Sequence, residues 1–248
     1  MKPRLYTYII TADNGKSPCY CDGIFTFACC KPQIRRKILK DKIECEKRGT
    51  HLPPTYLAGI RRDKKESRAR VVFIVDIDEV LKLEEYYDNE KYLKRKDCKY
   101  KNVKTIFVDN KLPVTLTKKI IKKACPQIHA EKGTEHGCFS TVNKMSEQHC
   151  RDICGGAVLL SSHFDHCNAY EDKWELTDKL EPVLGNILKD YMHKNRRIYH
   201  SFDDFESLGK VLKDVKMTTH IGLKGLDEDD YKSCNAKDKK NKQKCKKC

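Results

Sequence analysis

"FTFACCKPQIRRK", residues 25–37, sets a β-prone run against a doubled cysteine, a Lys-Pro step and two adjacent arginines. Residues 24–28, "IFTFA", read as a strand. Pro32 cannot donate to a central ladder, so the strand ends before it. From Gln33 to about Lys47 the pattern allows a basic helix with few core positions. The unit is therefore strand, tight turn, helix, with Arg35 and Arg36 in the first turns. Helix-terminal amides and guanidinium forks can grip phosphate. A solvated pair of arginines on a basic helix is the plain alternative.

Outward from this unit, "RLYTYII" (4–10) alternates as a strand and "TADNGKSPCYCDG" (11–23) is dense in turn formers. "THLPP" (50–54) is a break and "TYLAGI" (55–60) a short buried strand. "RRDKKESRAR" (61–70) reads as a charged hairpin connection. "VVFIVDIDEVL" (71–81) is the clearest strand of the chain. It leads into a short helix with Leu83, Tyr86 and Tyr87 on one face. "NVKTIFVDN" (102–110) is a further strand candidate, "TLTKKIIKKAC" (115–125) a short basic helix, and "GGAVLLSS" (155–162) a strand opened by two glycines. Leu180, Val183, Leu184, Ile187, Leu188 and Tyr191 keep the spacing of an amphipathic helix, and Phe202, Phe205, Leu208, Val211, Leu212 and Val215 nearly repeat it.

Strands early and helices late, without regular βαβ alternation, predict an α+β fold: a mostly antiparallel sheet or small barrel with helices packed around it. Residues 1–225 are expected to form one domain with a Cys/His-rich insertion near 125–154. Residues 226–248, acidic and then rich in Lys and Cys, are expected to be a disordered basic tail.

The 248 residues suffice for a core without disulfide staples. No run nears ~20 apolar residues, so no membrane span is expected, and no signal peptide is evident at the start. The expected location is the cytoplasm or another intracellular compartment, the nucleus or a viral factory included. Net charge is +15, an excess that suits polyanions through counterion release. Lysine bias of an AT-rich genome would produce the same excess, and residues 232–248 alone supply +7 of it. Fourteen cysteines in a reducing compartment are thiols, metal ligands or redox groups rather than a disulfide framework.

The stretch "YTYIITADNGKSPCYCDGIFTFACCKPQIRRK" resembles the start of the bacterial and phage family called nucleotide modification associated domain, type two. The matching positions are Asp13, Gly15, Pro18, Thr26, Ala28, Cys30, Lys31, Pro32, Ile34 and Arg35. Residues 71–92 are similar to that family's strand and Tyr-containing helix, and "GGAVLLSSHFDHCNAY" to a later strand. After the arginines the chain departs from the pattern, replacing a Gly-Asp turn with "KILKDKIECEKRGTHLPPTYLAGI". The resemblance implies association with the modification of DNA bases. By fold-level analogy alone it is also similar to PUA-like barrels that cradle a modified base. On that basis Asp13, Thr26, Lys31, Arg35 and Arg36 are expected to contact nucleic acid, and Tyr6, Phe25 and Phe27 to offer stacking faces unless they are core. Arg35→Ala with Arg36→Ala should then weaken binding and leave the fold intact.

His149, Cys150, Cys154, His163 and Cys167 lie in a stretch rich in potential zinc ligands. The spacing lacks paired C-x2-C units inside the body, so thiols and solvated or core histidines are the alternative. No other cofactor is implied. "VDIDEV" offers Asp76, Asp78 and Glu79: alternate aspartates on a strand share a face and could bind a metal, or simply form the polar face of a half-buried strand. No phosphate loop, dinucleotide fingerprint, zincin or G-x-S-x-G is present. Three functions follow: binding of nucleic acid (DNA before RNA) or a modified nucleotide; an enzyme acting on a nucleotide or base; or a zinc-organised interaction module.

Overall fold

The computed structural model describes residues 3–10, 17–21, 24–63, 65–93, 95, 97–98, 103–105, 107, 152–162, 164–166, 175–193, 199–201 and 205–214. Its strands are β1 (Arg4–Ile9), β2 (Cys19–Cys21), β3 (Ile24–Phe27), β4 (Thr55–Asp63), β5 (Arg68–Asp76), β6 (Glu79–Lys82), β7 (Ala157–Ser161), β8 (Phe164–His166) and β9 (Tyr199–Ser201). The helices are α1 (Pro32–Lys47), α2 (Leu83–Tyr87), α3 (Glu175–His193) and α4 (Phe205–Asp214), with a 3-10 turn at Glu90–Tyr92.

The strands form two sheets, in the orders β8-β5-β4-β1-β9 and β2-β3-β7-β6. Every pairing is antiparallel except β1 with β4. That parallel pair requires a crossover, and the chain makes it through β2, β3 and α1. The fold is thus α+β with mostly antiparallel sheets, as expected. Of the two geometries the sequence left open, the open sheet is the one observed: neither sheet closes among the described strands.

Alternation along the strands builds three apolar layers. Tyr6, Tyr8, Phe25, Phe27, Leu57, Phe73 and Leu159 meet between the sheets, joined there by Ile34, Ile38 and Leu39 of α1. The other face of the first sheet, with Leu5, Ala58, Val71 and Ile74, is covered by Leu180, Leu184, Leu188 and Tyr191 of α3 and by Leu208 of α4. The other face of the second sheet, with Val158 and Leu160, lies under Leu83, Tyr86 and Tyr87. Phe25, Phe27 and Tyr6 are fully buried, which makes them core.

Residues 71–81 are not one strand. β5 ends at Asp76 and β6 begins at Glu79 in the other sheet. Between them the Ile77 amide donates to Thr55 O at 2.8 Å and the Asp78 amide to Leu160 O at 3.0 Å. The chain therefore hands its ladder from one sheet to the other within two residues. Asp76 and Asp78 belong to no common strand face. The 61–70 connection is also shorter than expected: β4 runs to Asp63, whose Oδ1 accepts from the amides of Lys65 and Glu66 and so closes the hairpin tightly. β2 emerges from within the expected 11–23 loop, and the described part of 102–110, Val103 to Thr105 and Phe107, is not strand.

Pairing slips between Gly59↔Phe73 and Ile60↔Val71, leaving Val72 as the extra residue of a bulge. Val72 and Phe73 consequently both face the inter-sheet core. Gly59 makes room for this. A Cβ there would lie 2.3 Å from Ile10 Cδ1 and 2.4 Å from Phe73 Cε1. Gly59→Ala is expected to lower stability by about 1–3 kcal/mol through overpacking, read as a fall in the urea midpoint at unchanged slope.

Candidate functional site

After β3 the chain turns sharply into α1. Cys30 (φ 59°) and Lys31 (φ 40°) both take left-handed backbone conformations, and Pro32 occupies the first turn of the helix. Two such non-glycine residues cost of order 1–3 kcal/mol each, so the surroundings must hold them. The Cys30 amide donates to Asp152 Oδ1 at 2.7 Å. Arg35 reaches back from the first turn of α1: Nε donates to Cys30 O at 2.9 Å, Nη1 to Ala157 O at 2.6 Å, and Nη2 to Asp152 O. Its guanidinium is fully buried. Gly155 lets it pass, since a Cβ there would sit 2.2 Å from Arg35 Cζ. This is the physical reason for the first glycine of the step before β7; the second, Gly156, takes a left-handed φ of 69°. Arg35 thus faces inward and locks the turn.

Arg36 is also buried, at 4% exposure. Burial pushes its guanidinium down to about 10, with the neighbouring Cys154 opposing and Arg35 adding to the shift. Lys31 behaves differently. It is half-buried, with its Nζ 5.2 Å from the centroid of the Tyr8 ring. One helical face further on, the exposed Lys37 places its Nζ 5.9 Å from the Tyr6 ring. Burial and the nearby Arg4 hold the Lys37 ammonium below its ordinary value. Arg4 forms an ion pair with Asp41, which also accepts from Tyr6 OH at 3.4 Å. Farther along α1, Lys40 pairs with Glu44 at 3.4 Å and Lys42 with Glu46 at 3.3 Å. Positive charge over aromatic faces is thus concentrated at the N-terminal half of α1 and the start of β1. Sequence reasoning missed Lys37, Arg4 and Tyr8. The signal was present: with Ile34, Ile38 and Leu39 inward, position 37 must project outward.

Thr26 lies on the opposite face of β3 from Phe25 and Phe27, fully buried beneath α2. It donates to Asp97 Oδ2 at 2.7 Å, and Tyr86 OH donates to Asp97 Oδ1 at 2.7 Å. Arg95 donates to Thr26 Oγ1 at 3.1 Å and to Ile24 O at 2.7 Å, and stands 3.9 Å from Asp97. Thr26 is therefore the centre of a buried polar network tying β3 to the segment after α2. Asp13 lies outside the described residues.

Six described cysteines are free: Cys19, Cys29, Cys30, Cys45, Cys98 and Cys154. Burial, aided by Asp97, raises the Cys19 and Cys98 thiols, the latter to about 12. Cys30 and Cys154 are raised by burial too. A nucleophilic thiolate needs the opposite shift. Of the expected metal ligands only Cys154 is described, fully buried beside Arg36 and Arg35. His149, Cys150, His163 and Cys167 lie outside the described residues. Among the described residues no group of three or more His, Cys, Asp or Glu is placed to hold a metal, and no helix is long and apolar enough to cross a membrane.

The family model of nucleotide modification associated domain 2 matches residues 2–220, nearly the whole chain. The chain belongs to this family. The match takes in both sheets, the Arg35 turn and the Thr26 network, and it ends before the acidic and Lys/Cys-rich stretch 226–248. The family name associates the chain with nucleotide modification. No curated protein and no solved structure matches this member of the family.

Proposed function

We propose that this nucleotide modification associated domain 2 protein binds nucleic acid, DNA in preference to RNA, or a modified nucleotide, through Lys31, Lys37 and Arg4 at the N-terminal half of α1. The observation that carries this reading is the pair of lysine ammoniums set over Tyr8 and Tyr6 on a helix start that Arg35 holds rigid. A phosphate backbone laid along this edge meets point charges at fixed spacing, and contacts of that kind position a polyanion without reading its sequence. Residues 232–248, with eight lysines and one aspartate, add salt-sensitive affinity. Of the two arginines expected from the sequence to touch phosphate, Arg35 serves indirectly, by fixing the turn that presents Lys31.

Lys31→Glu with Lys37→Glu should weaken binding of a labelled duplex at least about tenfold. It should also lower the slope of log affinity against log salt by about two, roughly one per lost phosphate contact. Both positions carry side chains outside the core, so the melting temperature should stay put. The measurement is a salt series by fluorescence anisotropy on the full chain and on residues 1–231. Unchanged affinity and slope in the double variant of the shorter chain would overturn the assignment.

A further inference from the structure

A second surface feature has the opposite character. Between the C-terminal half of α1 and the sheet-to-sheet crossing at 77–80 lies a cleft of about 280 Å³. Its floor is apolar: Ile77 and Val80 are buried, and Leu52 packs against the inter-sheet core. Its rim carries Glu46, Asp78 and Glu79 against one lysine, Lys42, which bridges to Glu46. In a chain of net charge +15 this rim is net acidic, so it disfavours phosphate.

Both walls are fixed. Asp78 Oδ2 accepts from the Ser162 amide and hydroxyl, each at 2.6 Å, and the Asp78 amide is bonded into the second sheet. On the other side α1 ends in a cap: the Thr50 amide donates to Cys45 O at 2.9 Å and Gly49 takes a φ of 67°. That cap sets the angle at which His51 and Leu52 leave the helix. A cleft with rigid walls, an apolar floor and carboxylate acceptors on its rim suits a flat ring that carries N–H donors.

We propose that this cleft binds a single unpaired base or nucleoside bearing an exocyclic amine, its ring on the Leu52, Ile77 and Val80 floor and its amine donating to Glu79, since Asp78 Oδ2 already accepts from Ser162. Carboxylates accept well from the amine of cytosine, and uracil offers no such donor. The volume is of the order that one nucleoside fills, and it leaves the sugar at the open mouth. The choice of nucleosides rests on the nucleotide-binding reading above; the cleft is a separate site from the Lys31 and Lys37 surface.

The experiment is isothermal titration calorimetry of the full chain with cytidine, adenosine and uridine, none of which carries phosphate. Cytidine and adenosine should bind saturably, with uridine at least about fivefold weaker. Glu79→Gln, at an exposed position, should weaken cytidine about tenfold with an unchanged thermal melt. Absence of saturable binding up to about 5 mM, weaker than any useful affinity, overturns the proposal, as does equal affinity for uridine or for the Glu79→Gln variant. The two readings fail separately. Duplex binding without nucleoside binding rejects the cleft alone, and salt-insensitive nucleoside binding without duplex binding rejects the basic surface alone.

Discussion

Arg35→Ala is expected to cost the domain about 3–5 kcal/mol, much of the 5–15 kcal/mol that a typical fold has. The substitution removes donors to three backbone carbonyls, Cys30 O, Ala157 O and Asp152 O, in a place with no exposure to water. Each buried acceptor left without a donor costs about 1–3 kcal/mol; Asp152 O keeps the Gly155 amide at 3.2 Å. The substitution also opens a void over Gly155. Arg35→Lys should lose nearly as much, because one ammonium cannot reproduce a planar fork that serves carbonyls from three segments. Urea unfolding followed by far-UV circular dichroism tests this. A midpoint within about 0.5 kcal/mol of the parent for either variant would show that the turn holds itself. The expectation drawn from sequence, that Arg35→Ala with Arg36→Ala spares the fold, is reversed by this burial. Loss of nucleic-acid binding in that double variant would report unfolding rather than a missing phosphate contact.

What the sequence revealed, and what it hid, follows from the range of the interactions involved. α3 was legible because an amphipathic period is a local property: Leu180, Leu184, Leu188 and Tyr191 declare their common face without knowing what covers it. The split of 71–81 was not legible. Val75, Ile77, Val80 and Leu81 keep apolar residues recurring across Asp76, Asp78 and Glu79, and only the partners Thr55 O and Leu160 O show that the two halves serve different sheets. β2 was hidden because three residues between turn formers carry no period, and its strand identity comes from pairing with Ile24 to Thr26. Of the candidate site, Lys31 was named through the family resemblance. Arg35 was found too, but its direction was misread: lying one turn before Ile38 and Leu39, both buried, it had to point toward the core. A charge at such a position is retained when backbone acceptors surround it, and two of the three acceptors here, Asp152 O and Ala157 O, lie more than a hundred positions away.

Raising the pH should destabilise the fold well before ordinary alkaline unfolding. The Cys98 thiol is pushed up to about 12 by burial, with Asp97 adding to the shift, and Cys19 and Tyr86 are raised further by the same two causes. Tyr87 is also raised, by burial and by Cys29. An acid whose native pKa is raised keeps its proton in the folded chain after the unfolded chain has released it. The stabilisation is therefore fully present below the unfolded value and is lost as pH climbs toward the native one, at about 1.4 kcal/mol per group per pH unit. For Cys19 and Cys98 alone this amounts to about 4 kcal/mol between roughly pH 9 and 10.5. Arg36 works in the other direction, since its native value is lowered to about 10, but it contributes only above that pH. Urea midpoints at pH 7.5, 9 and 10.5 should fall steeply across the last interval, and Cys98→Ala should flatten the fall. A midpoint that holds to pH 10.5 would mean that these thiols reach water. The groups concerned surround one carboxylate, Asp97, to which Thr26 and Tyr86 both donate. Ionising Tyr86 or Cys19 would set a second anion against it in a space without solvent, so the second sheet should part from α2 first. The same arrangement holds these thiols neutral at physiological pH, and a neutral buried thiol is a poor nucleophile. The described cysteines on this face, Cys19 and Cys98, are thus packing groups.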